Sequence, residues 1–388
     1  MYNNNQINLT HIKMLIAVNT RFLLPDKLEG IGRFSYEILS RITRSHPEHQ
    51  FIFFFDRKHD SQYIFSDNVT AVDLFPQARH PFLFYWWFEF SISSALKKYN
   101  PDVFFSTDGF LCLNTQIPSV PVIHDLAFLH YPEGLSFWER SYYKYFFHRF
   151  AKKAKRIITV SNFTKSDIIK QYAIDETKID IVYNASAKGF VTVNDDTKDR
   201  IKHKYTNDCE YFIYVGALQP RKNIDTLLKA FDEFKHESFT NHKLLIVGRK
   251  AWQTSTIEET FNNLQYKNDV LFTGRVSDIE LYEITASAFC LVYIPFFEGF
   301  GLPIVEAMAC DVPIITSNTS SMPEVAGNAA IFVNPQSVEE TKIAMLSITN
   351  DKQLRAKLIN ESRGRKTFFD WDKSANAVWQ SLMKAVNN

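Results

Sequence analysis

The sequence predicts an α/β protein of two parallel-sheet domains in tandem. Three observations carry that expectation: a length of 388 residues, two successive series of short apolar runs, and a polar interval between the series. The length exceeds what one ordinary core fills and suits two. Runs that are apolar throughout, rather than alternating, are expected of strands covered on both faces by helices.

The first series is IKMLIAV (12–18), QFIFFF (50–55), NVTAVDLF (68–75), DVFFS (102–106), VPVIH (120–124), RIITVS (156–161) and KIDIVYN (178–184). Helical patterns lie between these runs, such as Phe34, Ile38 and Ile42 after a Gly30-Ile31-Gly32 turn. The interval 188–210 is polar and holds few core-like runs, so the domain boundary is expected there. The second series is YFIYVG (211–216), KLLIVG (243–248), DVLFTG (269–274), AFCLVYI (288–294), VPIIT (312–316) and AAIFV (329–333). After its first member, Ile224, Leu227, Leu228, Phe231 and Phe234 form one helical stripe. Strands alternating with helices imply parallel sheets with right-handed crossovers and a cleft where the carboxyl ends of the strands face a ligand. The expected divisions are 1–190, 205–369, and a closing helix, 370–388, that crosses back to the first domain.

Composition excludes several classes. The 44 basic and 43 acidic residues nearly cancel, which argues against a general nucleic-acid binder. Cys112, Cys209, Cys290 and Cys310 form no paired metal-binding spacing and no disulfide framework. No apolar stretch approaches the eighteen or so residues that span a bilayer, and a cytoplasmic location is expected.

Three clusters fall at strand ends. Gly30-Ile31-Gly32-Arg33 opens a helix, where glycines let backbone approach a phosphate or sugar; taken alone, it is equally a turn. Arg221 and Lys222, in GALQPRKN (216–223), place two adjacent cations where a diphosphate is neutralised, unless they are a solvated basic turn. The third, FEGFGLPIVEAMAC (297–310), puts Glu298 in a loop, Pro303 at a helix start and Glu306 a turn further on. Two carboxylates at a helix mouth oppose its attraction for phosphate and suit sugar diols better, although either can also cap backbone amides.

With Glu298 and Glu306 in EGFGLPIVEAMA, the sequence resembles the family 4 glycosyltransferases of the GT-B fold, two Rossmann-like domains facing each other across a cleft. The resemblance spans nearly the whole chain, through IHDLAFLHYPE (123–133), VSNFTKSDI (160–168), VGALQPRKN (215–223), LFTGRVSD (271–278) and TSNTSSMPEVAGNAAIFVNP (316–335). It implies a retaining hexosyl transfer from a nucleotide-diphosphate sugar held mainly by the second domain to an acceptor held mainly by the first.

Position by position, the resemblance gives Arg221 and Lys222 the donor diphosphate, Glu306 the ribose hydroxyls and Glu298 the transferred sugar. Backbone amides of Phe300, Gly301 and Leu302 would hold sugar hydroxyls or phosphate. Gly32 would shape the loop facing the diphosphate, His124 would lie near the transferred sugar, and Arg275 and Val276 would meet the base through backbone groups. Ile294-Pro295 and Asp311 depart from the usual pattern without removing a proposed ligand, and Ala217 stands where the pattern has an Arg, whose role the resemblance passes to Arg221.

The expected transfer is metal-independent and needs no cofactor, the nucleotide sugar being a substrate. Similarity of PRKN and IHDLAF to mannosyl-transferring relatives makes GDP-mannose the first expectation for the donor. The acceptor is expected to be a glycan or a lipid-linked sugar. Asp370-Trp371-Asp372 has the form of a metal motif but lies where Asp370 suits a helix cap. Phe82 to Phe90, FLFYWWFEF, is either core or a peripheral membrane contact aided by Lys97 and Lys98. A nucleotide-sugar epimerase, a glycoside hydrolase using both Glu, and a non-catalytic sugar-nucleotide binder are the competing readings.

Overall fold

A computed structural model describes residues 13–25, 28–249 and 255–387. Among the described residues thirteen strands form two sheets, one for each apolar series. The first contains β1 (Leu15–Asn19), β2 (Gln50–Phe55), β3 (Val69–Asp73), β4 (Val103–Ser106), β5 (Ser119–Ile123), β6 (Ile157–Thr159) and β7 (Ile179–Ile181). Its order is β3-β2-β1-β4-β5-β6-β7, with every pairing parallel.

The second contains β8 (Tyr211–Val215), β9 (Lys243–Val247), β10 (Val270–Gly274), β11 (Cys290–Tyr293), β12 (Ile314–Ser317) and β13 (Ala330–Val333). Its order, β10-β9-β8-β11-β12-β13, repeats the same winding, again all parallel. In both sheets the order reverses beside the first strand, so each has a switch point where adjacent crossovers diverge and leave a crevice. β11 and β12 are buried along their whole length, as strands covered on both faces must be.

Helices follow the expected stripes. Phe34, Ile38 and Ile42 bury one face of the helix Gly30–Ser45, and Leu227, Leu228, Phe231 and Phe234 bury one face of Ile224–Ser238. The polar interval 188–210 is not a bare linker. It contains the helix Asp195–Thr206, capped by Asn194, which packs on β9 and on the helix Asp278–Ala286 of the second sheet. Arg200 pairs with Glu283 at 2.7 Å, and Lys204 with Glu280. Only Ile201 and Thr206 of that helix are buried, so its pattern carries almost no apolar signal.

The last helix, Trp371–Asn387, packs on Gly30–Ser45 and on β4, β5 and β7 of the first sheet. Trp379 stacks on His46 with centroids 3.7 Å apart, and Ser381 and Lys384 reach Asp180 at 2.8 and 3.1 Å. Asp370 Oδ1 accepts from the N–H groups of Asp372 and Lys373, and Asp372 pairs with Arg41. Both carboxylates thus have local work in starting and docking a helix.

The two domains also touch near the cleft. Glu324 of the second accepts from the N–H groups of Asn162 and Phe163 at 2.7 and 3.0 Å, at the positive end of the helix Asn162–Tyr172. Ser161 Oγ donates to the Gly299 carbonyl at 2.6 Å.

The aromatic run Phe82 to Phe90 divides between two faces of a helix that widens at Trp87. Phe84, Trp87 and Phe88 are buried, and Trp87 Nε1 donates to the Leu74 carbonyl at 3.1 Å. Phe82, Tyr85, Trp86 and Phe90 are exposed. Phe82 meets Trp138 of the helix Phe137–Lys153 at 5.6 Å, and Phe137, Trp138 and Tyr145 extend the exposed aromatic surface.

Candidate functional site

A cleft of about 770 Å³ runs between the carboxyl ends of the two sheets. Its second-domain wall starts after β8. There the chain turns through Pro220–Lys222 to Asn223, whose φ of 60° lies in the left-handed region that Asn tolerates. Asn223 Nδ2 donates to the carbonyls of Ile294 and Pro335 at 3.0 and 2.6 Å, which ties the turn to the loops after β11 and β13. Arg221 and Lys222 are thereby fixed at the cleft wall.

The same wall receives the loop after β11. Glu298 pairs with both Arg221 and Lys222. Arg221 also donates to the Phe297 carbonyl at 3.0 Å, and Lys222 Nζ to the Tyr293 hydroxyl at 2.6 Å. Burial opposes ionisation of Glu298, but the two cations outweigh it and hold the carboxyl below its ordinary range. Burial likewise works against Arg221, yet Glu298 and Asp125 raise its pKa. For Lys222 burial prevails over Glu298 and the pKa falls. Two cations and one carboxylate leave a net positive knot, suited to an anion.

Beyond Glu298 the chain passes Gly301, φ 98°, into the helix Leu302–Ala309. The N–H groups of Phe300, Gly301 and Leu302 come before any carbonyl of that helix can accept from them, so they are available to a ligand. Glu306 stands one turn in, lining the cleft. Burial pushes its carboxyl up to about 7, with the Arg33 guanidinium restraining the rise.

Residues from both domains complete the enclosure. Arg33 of the first pairs with Asp278 of the second, and Arg275 lies 3.5 Å from Glu29. Val276 lines the cleft beside them. Gly30, Ile31 and Arg33 line it as well, but Gly32 does not: it is buried, and a Cβ there would lie 2.7 Å from the Phe22 carbonyl oxygen. Gly30 begins the helix instead of forming a turn before it. Helical rotation turns position 32 inward, against the loop that carries Phe22, and leaves its neighbours on the cleft face.

On the opposite wall His124 lies at the end of β5. Its Nε2 is 2.8 Å from the Thr107 carbonyl, which can only accept, so Nε2 carries the proton and Nδ1 is the ring's acceptor. Burial lowers its pKa, which keeps it neutral. Asp108 lies nearby, gripped by the buried Arg21, whose guanidinium rests 4.3 Å from the Phe110 ring centroid. Asp125, Phe128, Tyr143 and Phe147 continue this wall. The Gly299 backbone presses on it so closely that a Cβ there would lie 2.0 Å from the His124 carbonyl oxygen.

Tyr293 and Asp108 were not identified from sequence, and Arg33, Asn223 and Asp278 fell within the quoted motifs without a role of their own. Asn223 alone left a readable signal, an Asn between a basic turn and a helix. Among the described residues no group of three or more His, Cys, Asp or Glu has the geometry of a metal site. No described helix is long and apolar enough to cross a membrane.

Two wound parallel domains facing across a basic, carboxylate-lined cleft define the GT-B class of glycosyltransferase. Residues 28–186 match the model of Glycosyltransferase Family 4, and residues 195–365 that of Glycosyl transferases group 1. The chain belongs to this family of glycosyltransferases. It is 28% identical over 279 residues to O-antigen chain mannosyltransferase B of Escherichia coli, covering 72% of this chain and 73% of that one. It is 32% identical over 232 residues to O-antigen chain mannosyltransferase RfbU of Salmonella typhimurium, 60% of each chain. Among solved structures, its fold is similar to that of Anabaena Alr3699/HepE in complex with UDP and glucose. The TM-score is 0.75 at 15% identity, over 95% of this chain and 99% of that one.

Proposed function

We propose that the protein is a retaining mannosyltransferase that uses GDP-mannose and extends a glycan or lipid-linked acceptor without a metal ion. The observation that carries the donor side is the pairing of Arg221 and Lys222 with one shared carboxylate at a strand-end turn. As the anomeric bond breaks, negative charge grows on the leaving diphosphate. Cations already held in place stabilise that charge without reorganising, so they favour the transition state over the ground state. Glu306 accepts from the ribose hydroxyls, Glu298 meets the transferred sugar, and the amides of Phe300 to Leu302 hold sugar hydroxyls or phosphate. The backbone of Arg275 and Val276 faces the base. His124, neutral with Nδ1 as acceptor, stands on the sugar side of the cleft. With the leaving phosphate taking the acceptor's proton on the same face, anomeric configuration is kept and no protein nucleophile is needed. Mannose as the sugar rests on the two mannosyltransferases to which the chain is similar.

The exposed aromatics of the first domain, flanked by exposed Lys97, Lys98, Arg140 and Lys144, fit an anionic membrane surface that presents a lipid-linked acceptor. The test of the reaction is incubation with labelled GDP-mannose and other nucleotide sugars, with and without EDTA and acceptor lipids. Mannosyl product of retained configuration, formed equally in EDTA, is the expected result. Use of another sugar alone overturns the donor assignment, an absolute metal requirement overturns metal independence, and isomerised nucleotide sugar without transfer indicates an epimerase.

A further inference from the structure

Glu298 has two possible partners that compete. It is the shared counterion of Arg221 and Lys222. Arg221 also anchors on the Phe297 carbonyl and Lys222 on the Tyr293 hydroxyl. The Phe297 carbonyl and the Tyr293 hydroxyl remain as anchors for the two cations if Glu298 leaves them. Glu298 instead sits in a loop between Phe297 and the glycines, with its backbone N–H 3.3 Å from Ser320 Oγ and its carbonyl accepting from Ser321 Oγ at 2.9 Å. The loop backbone is held by these contacts, and the carboxylate is tied by charge and by hydrogen bonds from the same two cations and the Tyr293 hydroxyl.

We propose that Glu298 is an exchangeable counterion: an incoming diphosphate displaces it from Arg221 and Lys222, and only then does its carboxylate become free to accept hydrogen bonds from the donor sugar. The proposal rests on the diphosphate assignment above and adds an order of events to it. A buried pair of cations without a counterion is costly, so some anion must sit there before the donor arrives. A diphosphate carries more charge than one carboxylate and offers several acceptor oxygens, so it wins the exchange. The sugar's hydroxyls then meet carboxyl oxygens that were not available to a free monosaccharide. Diphosphate and sugar recognition are thereby coupled, and the coupling is reciprocal.

The exchange has a signature opposite to that of an ordinary binding residue. Removing the charge of a plain ligand-contacting residue weakens binding; removing a competitor strengthens it. Glu298→Gln is therefore expected to bind GDP or UDP, whichever the wild type binds, roughly three- to tenfold more tightly in calorimetry at low salt. The same variant is expected to lose the additional affinity that the wild type gains when the sugar is attached to the diphosphate. Arg221→Ala, titrated in parallel, is expected to weaken binding of the free nucleotide. Melting curves with and without nucleotide verify that each variant is folded.

Equal or weaker binding of the free nucleotide by folded Glu298→Gln overturns the counterion exchange while leaving the diphosphate assignment standing. Unchanged nucleotide binding by folded Arg221→Ala, or no binding of either nucleotide by wild type, overturns the diphosphate assignment and the exchange with it. If Glu298→Gln does not fold, Glu298→Asp serves in its place. Its shorter carboxylate reaches the cations less well, and tighter nucleotide binding, by a smaller factor, is again the expected sign.

Discussion

Burial on the cleft wall brings the Glu306 carboxyl to about 7, so near neutral pH it is divided between acid and carboxylate. Its folded-state pKa lies above the ordinary 4.5, so the folded chain holds an extra proton between those values. The ligand-free protein therefore loses stability as pH rises through that window. The ribose contact proposed for Glu306 needs the carboxylate, so binding is expected to run the other way. Affinity for a nucleotide-diphosphate sugar, whose phosphates do not titrate there, should fall by up to about tenfold per pH unit below 7. Glu306→Gln should bind more weakly and lose this slope. Calorimetry across pH 5.5 to 8 checks it, and an unchanged slope in the variant assigns the pH effect elsewhere. Glu306 itself was legible in the sequence through its spacing from Glu298. Its counter-charge was not: Arg33 and Asp278 lie 245 positions apart and meet only across the cleft.

The loop from Phe297 to Gly301 is one element through which the second domain reaches the first. At Gly299 its backbone lies against the His124 carbonyl, and the Ser161 and Thr164 hydroxyls hold the Gly299 carbonyl from the same side. A methyl group there forces the loop to withdraw, and Glu298 withdraws with it. Gly299→Ala should lower kcat by about a hundredfold, in line with the cost of a misplacement on the order of 1 Å, with a smaller change in nucleotide affinity. Wild-type kcat in this variant would falsify the close approach. Elements of this domain were legible where the chain is apolar on both faces, as in Cys290–Tyr293 and Ile314–Ser317. The helix Asp195–Thr206 was not, because ion pairs such as Arg200–Glu283 and Lys204–Glu280 and an Asn cap hold it with only two buried side chains.

At the scale of the whole molecule the two sheets repeat one winding, and that repetition could be read from the alternation of apolar runs and helical stripes. The surface could not be read in this way. The run Phe82 to Phe90 uses the same residue type on both faces of one helix, so composition alone does not divide Phe88, fully buried, from Phe82, 63% exposed. Trp86 and Trp138 stand outward on neighbouring helices of the first domain. Replacing both with Ser should leave stability within about 0.5 kcal/mol, as for other exposed positions. The double variant should lose most of the wild type's co-sedimentation with anionic vesicles. Equal sedimentation of the two proteins, or none by wild type, removes the membrane assignment from this face.

The helix Trp371–Asn387 has a consequence for how the protein is made. It covers the helix Gly30–Ser45, yet it is translated after the whole of the second sheet. At ribosomal speeds of roughly 5–20 residues per second, the earlier segment waits roughly 15 to 65 seconds for its cover. For that time His46 and the groove that receives Trp379 face solvent or a chaperone. The first domain begins folding first and is finished last, with the second domain completed as an insert within it.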